Sequence, residues 1–345
     1  MIPNRNRSIA RRALLGAAIG LVAIAASPAV HAQTAIKFSL DWKFEGPSAP
    51  FLVAIDKGYF KAEGLDVTMD TGAGSVEPLN RVASATYDMG FGDINSLIKF
   101  LDKNKGTPIK AVFMVYNSPP FAVVGRKSKG VSTPKDLEGK KLGAPAADGA
   151  FAQWPIFVAA NKIDASKVQI QNVGFPLREP MLISGDVDAI TGFAFSSYLN
   201  VVKKVPSGDA TVMLMTDFGV KLYGNAIIVH PKFAAEKPEA VKGFLRAYVK
   251  GLKYTIANPG DAIASVLSRN GVANKEAELE RLNYALEKNM VTAEVKANGF
   301  GAVDMARLEA SIDQLALTYK FEGKPKASDI FDASYLPPAA ARSAK

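Results

Sequence analysis

The chain has 345 residues, 48% of them hydrophobic and 22% charged, a composition typical of a globular protein long enough for two domains. It contains no cysteine, which excludes a disulfide framework, a thiolate zinc site and a cysteine nucleophile. The two histidines are His31 and His230, and His31 lies in a segment that we expect to be removed, so a multi-histidine metal site is excluded too. We therefore predict neither a metal site nor a cofactor.

Residues 1–32 have the pattern of an export signal. Four arginines and no acidic residue precede an apolar stretch rich in alanine and glycine, and small residues lead to a cleavage-like end at Ala32, which favours a signal over the alternative of an uncleaved anchor. Arg11 and Arg12 partly match a twin-arginine signal. Removal of the segment lowers the formal charge from +9 to +5. The remaining basic residues form no block interleaved with aromatic residues, so we expect no nucleic-acid partner.

The chain after the signal begins with alternating strands and helices. The order of the elements, β-α-β-α-β-α-β, predicts an α/β domain with a mostly parallel sheet. The apolar patterning predicts strands over 35–40, 65–71, 88–93 and 109–117, and helices over 49–64, 72–87 (after a glycine-rich loop) and 94–106.

The same alternation restarts near residue 121 and predicts a second α/β unit. Residues 225–259 then predict one more strand followed by a long amphipathic helix, and further helices follow to about residue 320. Two similar units, with the chain passing from the first to the second and back, predict a bilobal protein. We expect the first lobe to comprise 33–121 and 219–338, the second lobe 122–218, and the tail 339–345 to be disordered.

Aromatic and small polar residues follow most of the predicted strands. In open α/β sheets, ligands bind at the carboxyl ends of the strands. A small-molecule pocket combines flat apolar walls with a few placed polar groups, so these residues predict a ligand site between the lobes. The predicted ligand-binding residues are Trp42, Glu45, Gly74, Ser75, Asp93, Asn95, Tyr116, Asn117, Asp148, Phe193, Phe195, Ser196, Tyr223 and Asn225.

Several of these residues have a structural alternative. Trp42 could equally seal the base of a lobe. Tyr116 and Tyr223 lie near asparagines at the predicted lobe crossings, where a hinge role competes with a ligand role. Strand-end acids such as Asp41 and Glu45 could form a carboxylate pair of the glycosidase type, for which the sequence gives no distance.

Four stretches resemble a known family. The stretch "LDW…P…APFLVAIDKGYFKAEGLDV" is similar to the opening signature of the periplasmic solute-binding proteins of ABC importers, in the group that binds sulfonates, taurine, nitrate and thiamine-pyrimidine precursors. The stretches "YDMGFGDINSLIKF", "PKDLEGKKLGAP" and "DIFDASYLP" resemble later parts of the same group. The resemblance covers about residues 35–338.

The resemblance implies the type II periplasmic-binding fold, in which two α/β lobes, joined by two crossing segments, close on a ligand in the cleft between them. It also implies a monomeric periplasmic protein that delivers a small molecule to a membrane permease driven by an ATPase. By position, Trp42 would line the cleft as an aromatic wall, together with residues 74–75 and 93–95 of the first lobe and 193–196 of the second.

The charges near the predicted cleft favour a neutral or nitrogen-bearing ring, such as a pyrimidine-type thiamine precursor, stacked on Trp42. The first-lobe loops carry Glu45 and Asp93 but no arginine, and burying an anion beside carboxylates is costly. Arg178 is the best cationic candidate, with pairing to Glu179 on a helix surface as an equal alternative. An aliphatic sulfonate such as taurine, or nitrate, is the alternative ligand.

Two rival classes share this fold by resemblance. One is a single-turnover enzyme that makes the thiamine pyrimidine in the cytosol, and it needs a histidine that it consumes and a cysteine-rich iron site. The export signal and the absence of cysteine argue against it, and a lone His230 at a strand end is more often structural than catalytic. The other rival is a periplasmic sensor, which the sequence does not separate from an importer component. We predict a binding protein without enzymatic activity.

Overall fold

The computed structural model describes residues 32–107 and 109–344. The predicted export signal lies outside these residues, apart from Ala32. The strands are β1 Thr34–Ser39, β2 Leu65–Asp70, β3 Met89–Asp93, β4 Lys110–Met114, β5 Phe121–Arg126, β6 Lys141–Ala144, β7 Gln169–Asn172, β8 Ala189–Phe193, β9 Ala210–Leu214 and β10 Asn225–Val229. The helices are α1 Ala49–Asp56, α2 Tyr59–Ala62, α3 Val76–Ala83, α4 Ile94–Lys103, α5 Trp154–Ala160, α6 Phe175–Ser184, α7 Ala194–Val202, α8 Pro231–Glu236, α9 Pro238–Ala257, α10 Pro259–Leu267, α11 Lys275–Ala285, α12 Ala293–Asn298, α13 Met305–Ala316 and α14 Ala327–Ile330.

The strands form two five-stranded sheets. In each sheet one strand, the second from one edge, runs antiparallel to the others. The first sheet has the order β2-β1-β3-β10-β4, and the second has the order β7-β6-β8-β5-β9. In the first sheet β10 runs antiparallel to β3 and β4, while β1 runs parallel to β2 and β3. In the second sheet β5 runs antiparallel to β8 and β9. The predicted α/β architecture with two lobes is therefore confirmed, whereas the exact lobe bounds stay a prediction.

The chain passes between the sheets twice, once after β4 and once before β10. The two crossing segments lie side by side, since Gly224 N donates to Tyr116 O over 2.9 Å. The backbone N–H groups of Val115 and Tyr116 both donate to Asn225 O at 3.0 Å. Because both crossings are held together at one place, the lobes can move about this pair of segments as a hinge.

The core of the first lobe is aromatic. The strand β1 alternates outward residues with Ile36 and Phe38, which are buried against the covering helices. The Phe38 ring lies 5.3 Å from that of Phe51 on α1 and 4.9 Å from that of Phe244 on α9, and Tyr248 on α9 lies 4.3 Å from Phe51 between ring centroids. These rings fix α1 on α9 and thereby position the loop that connects β1 to α1. In the part of the chain that the structure describes, no helix combines the length and the apolar character needed to cross a bilayer.

Three elements differ from the sequence prediction. The predicted helix 49–64 is broken into α1 and α2, because Gly58 adopts a left-handed φ of 70° that ends the first helix. The predicted long helix after β10 is divided into α8 and α9 at Lys237, and Pro238 begins the second. Residues 339–344, predicted to be disordered, pack on the protein: Arg342 Nη1 donates to Asn298 O over 2.6 Å, and Arg342 O accepts from Phe300 N over 2.8 Å.

The contact between α1 and α9 gives a stability prediction. A Cβ at Gly251 would overlap the carbonyl oxygen of Pro50 and lie 2.9 Å from Ala54 Cβ, whereas a Cβ at Gly243 in the same helix would meet its nearest atom at 3.4 Å. We expect Gly251→Ala to lower the free energy of unfolding by about 1–3 kcal/mol through overpacking. Gly243→Ala should leave it unchanged or raise it by up to about 1 kcal/mol. Urea unfolding of both variants measures this, and equal effects would contradict the packing described.

Candidate functional site

A cleft lies between the sheets, at the loops that follow the carboxyl ends of β1, β2, β6 and β8, where the strand-end rule predicts it. Its volume, counted to the open mouth, is about 600 Å³. Nine of the predicted ligand-binding residues line it together. They are Trp42, Glu45, Gly74, Ser75, Tyr116, Asp148, Phe193, Phe195 and Ser196.

The cleft walls are aromatic and come from both lobes. The Trp42 ring, in the loop after β1, packs edge-on against the Phe175 ring at the start of α6, with centroids 4.8 Å apart and planes at 66°. On the other side, Tyr116 stands edge-on to Phe195 of the second lobe at 5.8 Å, and Phe195 stands edge-on to Phe193 at 5.7 Å. Flat rings on both sides suit a flat ligand, which stacks on or abuts them.

Two buried polar atoms of the cleft form no hydrogen bond of normal length within the described residues. They are the indole Nε1 of Trp42, a donor, and the hydroxyl Oγ of Ser75, which lies close enough to Asp41 to lower the pKa of that carboxyl. Leaving such an atom unpaired costs about 1–3 kcal/mol each. Because both residues line the cleft, a ligand with an acceptor near Trp42 and a polar atom near Ser75 would satisfy them.

One buried acid of the cleft is Asp41, in the loop that follows β1. Only 7% of its surface is exposed, and Asn225 Nδ2 donates to its Oδ2 over 2.6 Å. Burial raises the pKa of Asp41 to about 7, and the Asn225 hydrogen bond partly opposes this. Near neutral pH the group therefore accepts a hydrogen bond as a carboxylate or donates one as an acid.

A second buried acid, Asp148, lies on the other lobe. Thr191 Oγ1 donates to its Oδ2 over 2.7 Å, and burial raises its pKa while the Arg178 charge opposes the rise. Arg178 is itself buried, lines the cleft, and forms a salt bridge with Glu179 through Nη2 at 2.7 Å. Both alternatives stated for Arg178 are thus present in the same side chain, since it is paired with Glu179 and also faces the cleft.

The third acid, Glu45, belongs to a polar contact that joins the lobes. Ser196 Oγ donates to Glu45 Oε2 over 3.1 Å, and Arg281 Nη1 lies 3.6 Å from the same oxygen. Arg281 also lies 3.2 Å from Glu278 Oε1 and donates to Asn200 Oδ1 on α7 over 2.7 Å. Arg281 therefore serves both Glu45 and Glu278, and it is the cation that faces Glu45 in this arrangement.

The other five predicted ligand-binding residues lie away from the cleft wall, and the structure gives each a different contact. Asp93 is the N-cap of α4, where it accepts from the backbone N–H groups of Asn95 and Ser96 at 3.1 and 2.8 Å. It also accepts from Gln153 Nε2 of the second lobe over 3.1 Å. Asn95 donates to Asp93 and to Tyr223 O, both over 2.7 Å.

Asn225 donates to Asp41, as described above. The remaining two residues, Asn117 and Tyr223, lie at the crossing segments. Asn117 Nδ2 donates to Glu294 Oε1 over 2.9 Å, and Asn117 Oδ1 accepts from Thr292 Oγ1 over 2.7 Å. The Arg307 guanidinium lies 3.9 Å from the centroid of the Tyr223 ring. These contacts are consistent with the hinge alternative for Tyr223, and they hold Asn117 at the first crossing segment.

Some cleft residues are absent from the sequence prediction. Asp41 is a strand-end acid but is not among the predicted ligand-binding residues, and Phe175, the first residue of α6, is not among them either. Lys43 lies at the mouth, 5.5 Å from the Trp42 ring centroid. The sequence does contain a signal for Phe175, because this aromatic residue comes shortly after the end of β7, where the strand-end rule predicts ligand residues. Among the described residues, no group of His, Asp and Glu side chains is arranged to hold a metal ion.

The chain is similar to known proteins in sequence and in fold. The chain is 28% identical over 314 residues to the formylaminopyrimidine-binding protein of Halalkalibacterium halodurans, covering 88% of this chain and 91% of that protein. It is 26% identical over 235 residues to the 4-amino-5-hydroxymethyl-2-methylpyrimidine phosphate synthase of Legionella pneumophila, covering 67% and 72%. Among solved structures, the alkanesulfonate-binding protein SsuA from Xanthomonas axonopodis pv. citri bound to MOPS superposes with a TM-score of 0.66 at 12% identity, covering 87% of this chain and 98% of that one.

Two mixed α/β sheets, joined by paired crossings and facing each other across a cleft, define the type II periplasmic-binding fold. A family model described as NMT1/THI5 like matches residues 46–262. The chain belongs to the NMT1/THI5-like family.

The raised pKa of Asp41 predicts a specific pH dependence of stability. Between about pH 4 and pH 7 the unfolded chain releases the Asp41 proton while the native state keeps it, so stability falls as pH rises, and above pH 7 the effect is complete. Relative to Asp41→Asn, wild-type stability should fall by up to about 1.4 kcal/mol per pH unit across that window. Unfolding measured from pH 4 to 8 tests this.

The control is Asp136→Asn, since backbone hydrogen bonds from Ser132 and Thr133 hold the pKa of Asp136 below its ordinary value. The stability that Asp136 contributes is lost only as pH falls below about 4, so the difference between wild type and this variant should stay level from pH 5 to 7. A level difference for Asp41→Asn over the same range would show that Asp41 is ionised in the native state.

Proposed function

We propose that the protein is the ligand-binding component of an ABC importer and that it captures an aminopyrimidine-type ring in the cleft by closure of the lobes. The observation that carries this proposal is the Trp42 ring, whose buried N–H has no partner. The cations near the acids of the cleft, Arg178 and Arg281, already form salt bridges.

The charges of the inner cleft favour a ring over a small anion. Arg178 is held by Glu179, and Arg281 is held by Glu45 and Glu278. A buried sulfonate or nitrate would therefore lie near Asp41 and Asp148 without a free cation, which is costly. This supports the ring ligand over the sulfonate and nitrate alternatives.

The titration of Asp41 suits a nitrogen heterocycle. An aminopyrimidine presents a ring nitrogen, which accepts a hydrogen bond, next to an amino group, which donates one. A protonated carboxyl donates from its O–H and accepts at its C=O, so one acid can bind both atoms in the plane of the ring. If the ring nitrogen is protonated, the ionised carboxylate binds the same edge as two acceptors. The formylaminopyrimidine-binding relative supports the same ligand class.

The proposal includes export to the periplasm and the absence of enzymatic activity. The binding-protein relative matches 88% of this chain, and the synthase relative matches 67% of it. The relatives therefore include both a binding protein and an enzyme. His230 is the N-cap of α8, where its Nδ1 accepts from Lys232 N over 3.2 Å, and it does not line the cleft. With no cysteine in the chain, the iron chemistry implied for the enzyme by resemblance has no thiolate ligands.

Ligand binding is tested by thermal unfolding of the purified protein with formylaminopyrimidine, an aminopyrimidine, taurine and nitrate. A hundredfold excess over Kd should stabilise the native state by about 2.7 kcal/mol. We expect the pyrimidines to raise Tm, while taurine and nitrate leave it unchanged. Recovery of the bound ligand unaltered, by mass spectrometry, supports a binding role, and a converted ligand would contradict it.

The role of Trp42 is tested by Trp42→Ala, with Trp154→Phe as the matched control. Trp154, the second tryptophan, is buried in the core at 6% exposure and does not line the cleft. Loss of the stacking surface and of the indole N–H should weaken pyrimidine binding tenfold or more, while the fold survives. The control should keep its affinity. A Trp42→Ala protein that unfolds, but whose folded fraction binds normally, would identify Trp42 as a core residue instead.

A further inference from the structure

A second pocket opens directly outside the cleft. It has a volume of about 610 Å³ counted to its mouth, and it shares Trp42, Lys43, Glu45, Phe175 and Ser196 with the cleft. Its own wall is formed by α6 and the end of α7. The Trp42 and Phe175 rings therefore stand between an inner space and an outer space that are continuous with each other.

The outer pocket differs from the cleft in its charge. Its two acids are both paired, Glu45 with Arg281 and Glu179 with Arg178. Its two lysines, Lys43 and Lys204, have no ion-pair partner among residues 32–107 and 109–344, and both are exposed. The outer pocket thus carries two uncompensated positive charges, whereas the inner cleft carries buried acids.

The two lysines come from opposite lobes. Lys43 lies in the loop that follows β1 of the first sheet, and Lys204 lies just after α7, which follows β8 of the second sheet. An anionic group held between them would contact both lobes in the closed form and would lose one of its partners when the lobes separate. Such a group contributes to the differential affinity that drives closure.

We propose that the outer pocket is a subsite for an anionic substituent, so that the ligand is a ring that carries a phosphate monoester or a comparable anion on a short linker. This deepens the proposed function and rests on it for the ring. The ring occupies the cleft between Trp42 and the second-lobe aromatics, and the anion lies outside the Trp42–Phe175 pair, where Lys43 and Lys204 attract it. The buried acids reject an anion from the inner cleft, so the charges of the two spaces fix the direction in which the ligand binds.

The first experiment compares two ligands that differ only in the anion: 4-amino-5-hydroxymethyl-2-methylpyrimidine and its phosphate monoester, measured by calorimetry. In wild type the phosphate should bind about three- to tenfold more tightly at low salt, as expected for two partly exposed charge contacts, and the advantage should shrink as salt is raised. In the Lys43→Gln/Lys204→Gln double variant the two ligands should bind within about twofold of each other.

Lys203→Gln is the matched control, because Lys203 is adjacent on the same helix end but pairs with Glu280 and does not line the outer pocket. It should keep the wild-type preference for the phosphate. Equal binding of both pyrimidines to wild type, or a preference that survives in the double variant, would overturn the subsite while leaving the proposed ring binding intact.

A second measurement does not depend on the identity of the ring. In a Trp154→Phe background Trp42 is the only tryptophan, so its fluorescence reports on the junction of the two pockets. Phenyl phosphate should perturb this fluorescence at concentrations about three- to tenfold lower than benzyl alcohol does, and Lys43→Gln/Lys204→Gln should remove the difference. If both pyrimidines fail to bind but phenyl phosphate keeps its advantage, the pyrimidine proposal is wrong and the subsite stands. If phenyl phosphate has no advantage, the subsite is wrong.

Discussion

The position of β10 is the constraint on which the rest of the structure depends. This strand lies between β3 and β4 inside the first sheet, and all five of its residues are buried, although the chain reaches it only after building the second sheet. The first sheet is therefore incomplete until the chain returns, which requires two crossings. Asn225, its first residue, accepts from the backbone of Val115 and Tyr116 and donates its side-chain amide to Asp41. One residue thus ties the returning strand to the outgoing crossing and to the floor of the cleft.

The elements that the sequence predicts correctly and those that it misses depend on interactions over different distances along the chain. The apolar periodicity of β1, β3 and β5 is local and gave strands in the right places, and the strand-end rule brought nine of the predicted residues to the cleft. The direction and place of β10 depend on pairing with strands more than a hundred residues away. The break at Gly58 depends on a backbone torsion that an uninterrupted helical pattern conceals.

Two of the predicted ligand residues that lie away from the cleft wall, Asp93 and Asn95, share one physical property. Asp93 and Asn95 stand at a strand end, as ligand residues do, but they also stand at the start of α4, where free backbone N–H groups need acceptors. The sequence "DINS" satisfies that need within one helical turn, since Asp93 accepts from the backbone N–H groups of Asn95 and Ser96. A capping sequence after a strand thus predicts a structural acid, whereas Asp41 follows its strand without a helix to cap.

Closure of the lobes involves opposing contributions. Protein–protein hydrogen bonds across the cleft, such as Ser196 to Glu45 and Gln153 to Asp93, favour the closed form by about 0.5–1.5 kcal/mol each. The same arrangement leaves Trp42 Nε1 buried and unpaired, at a cost of about 1–3 kcal/mol. A ligand that pairs this atom removes the cost and keeps the gain. It therefore binds the closed form selectively, and only such a difference in affinity can shift the equilibrium.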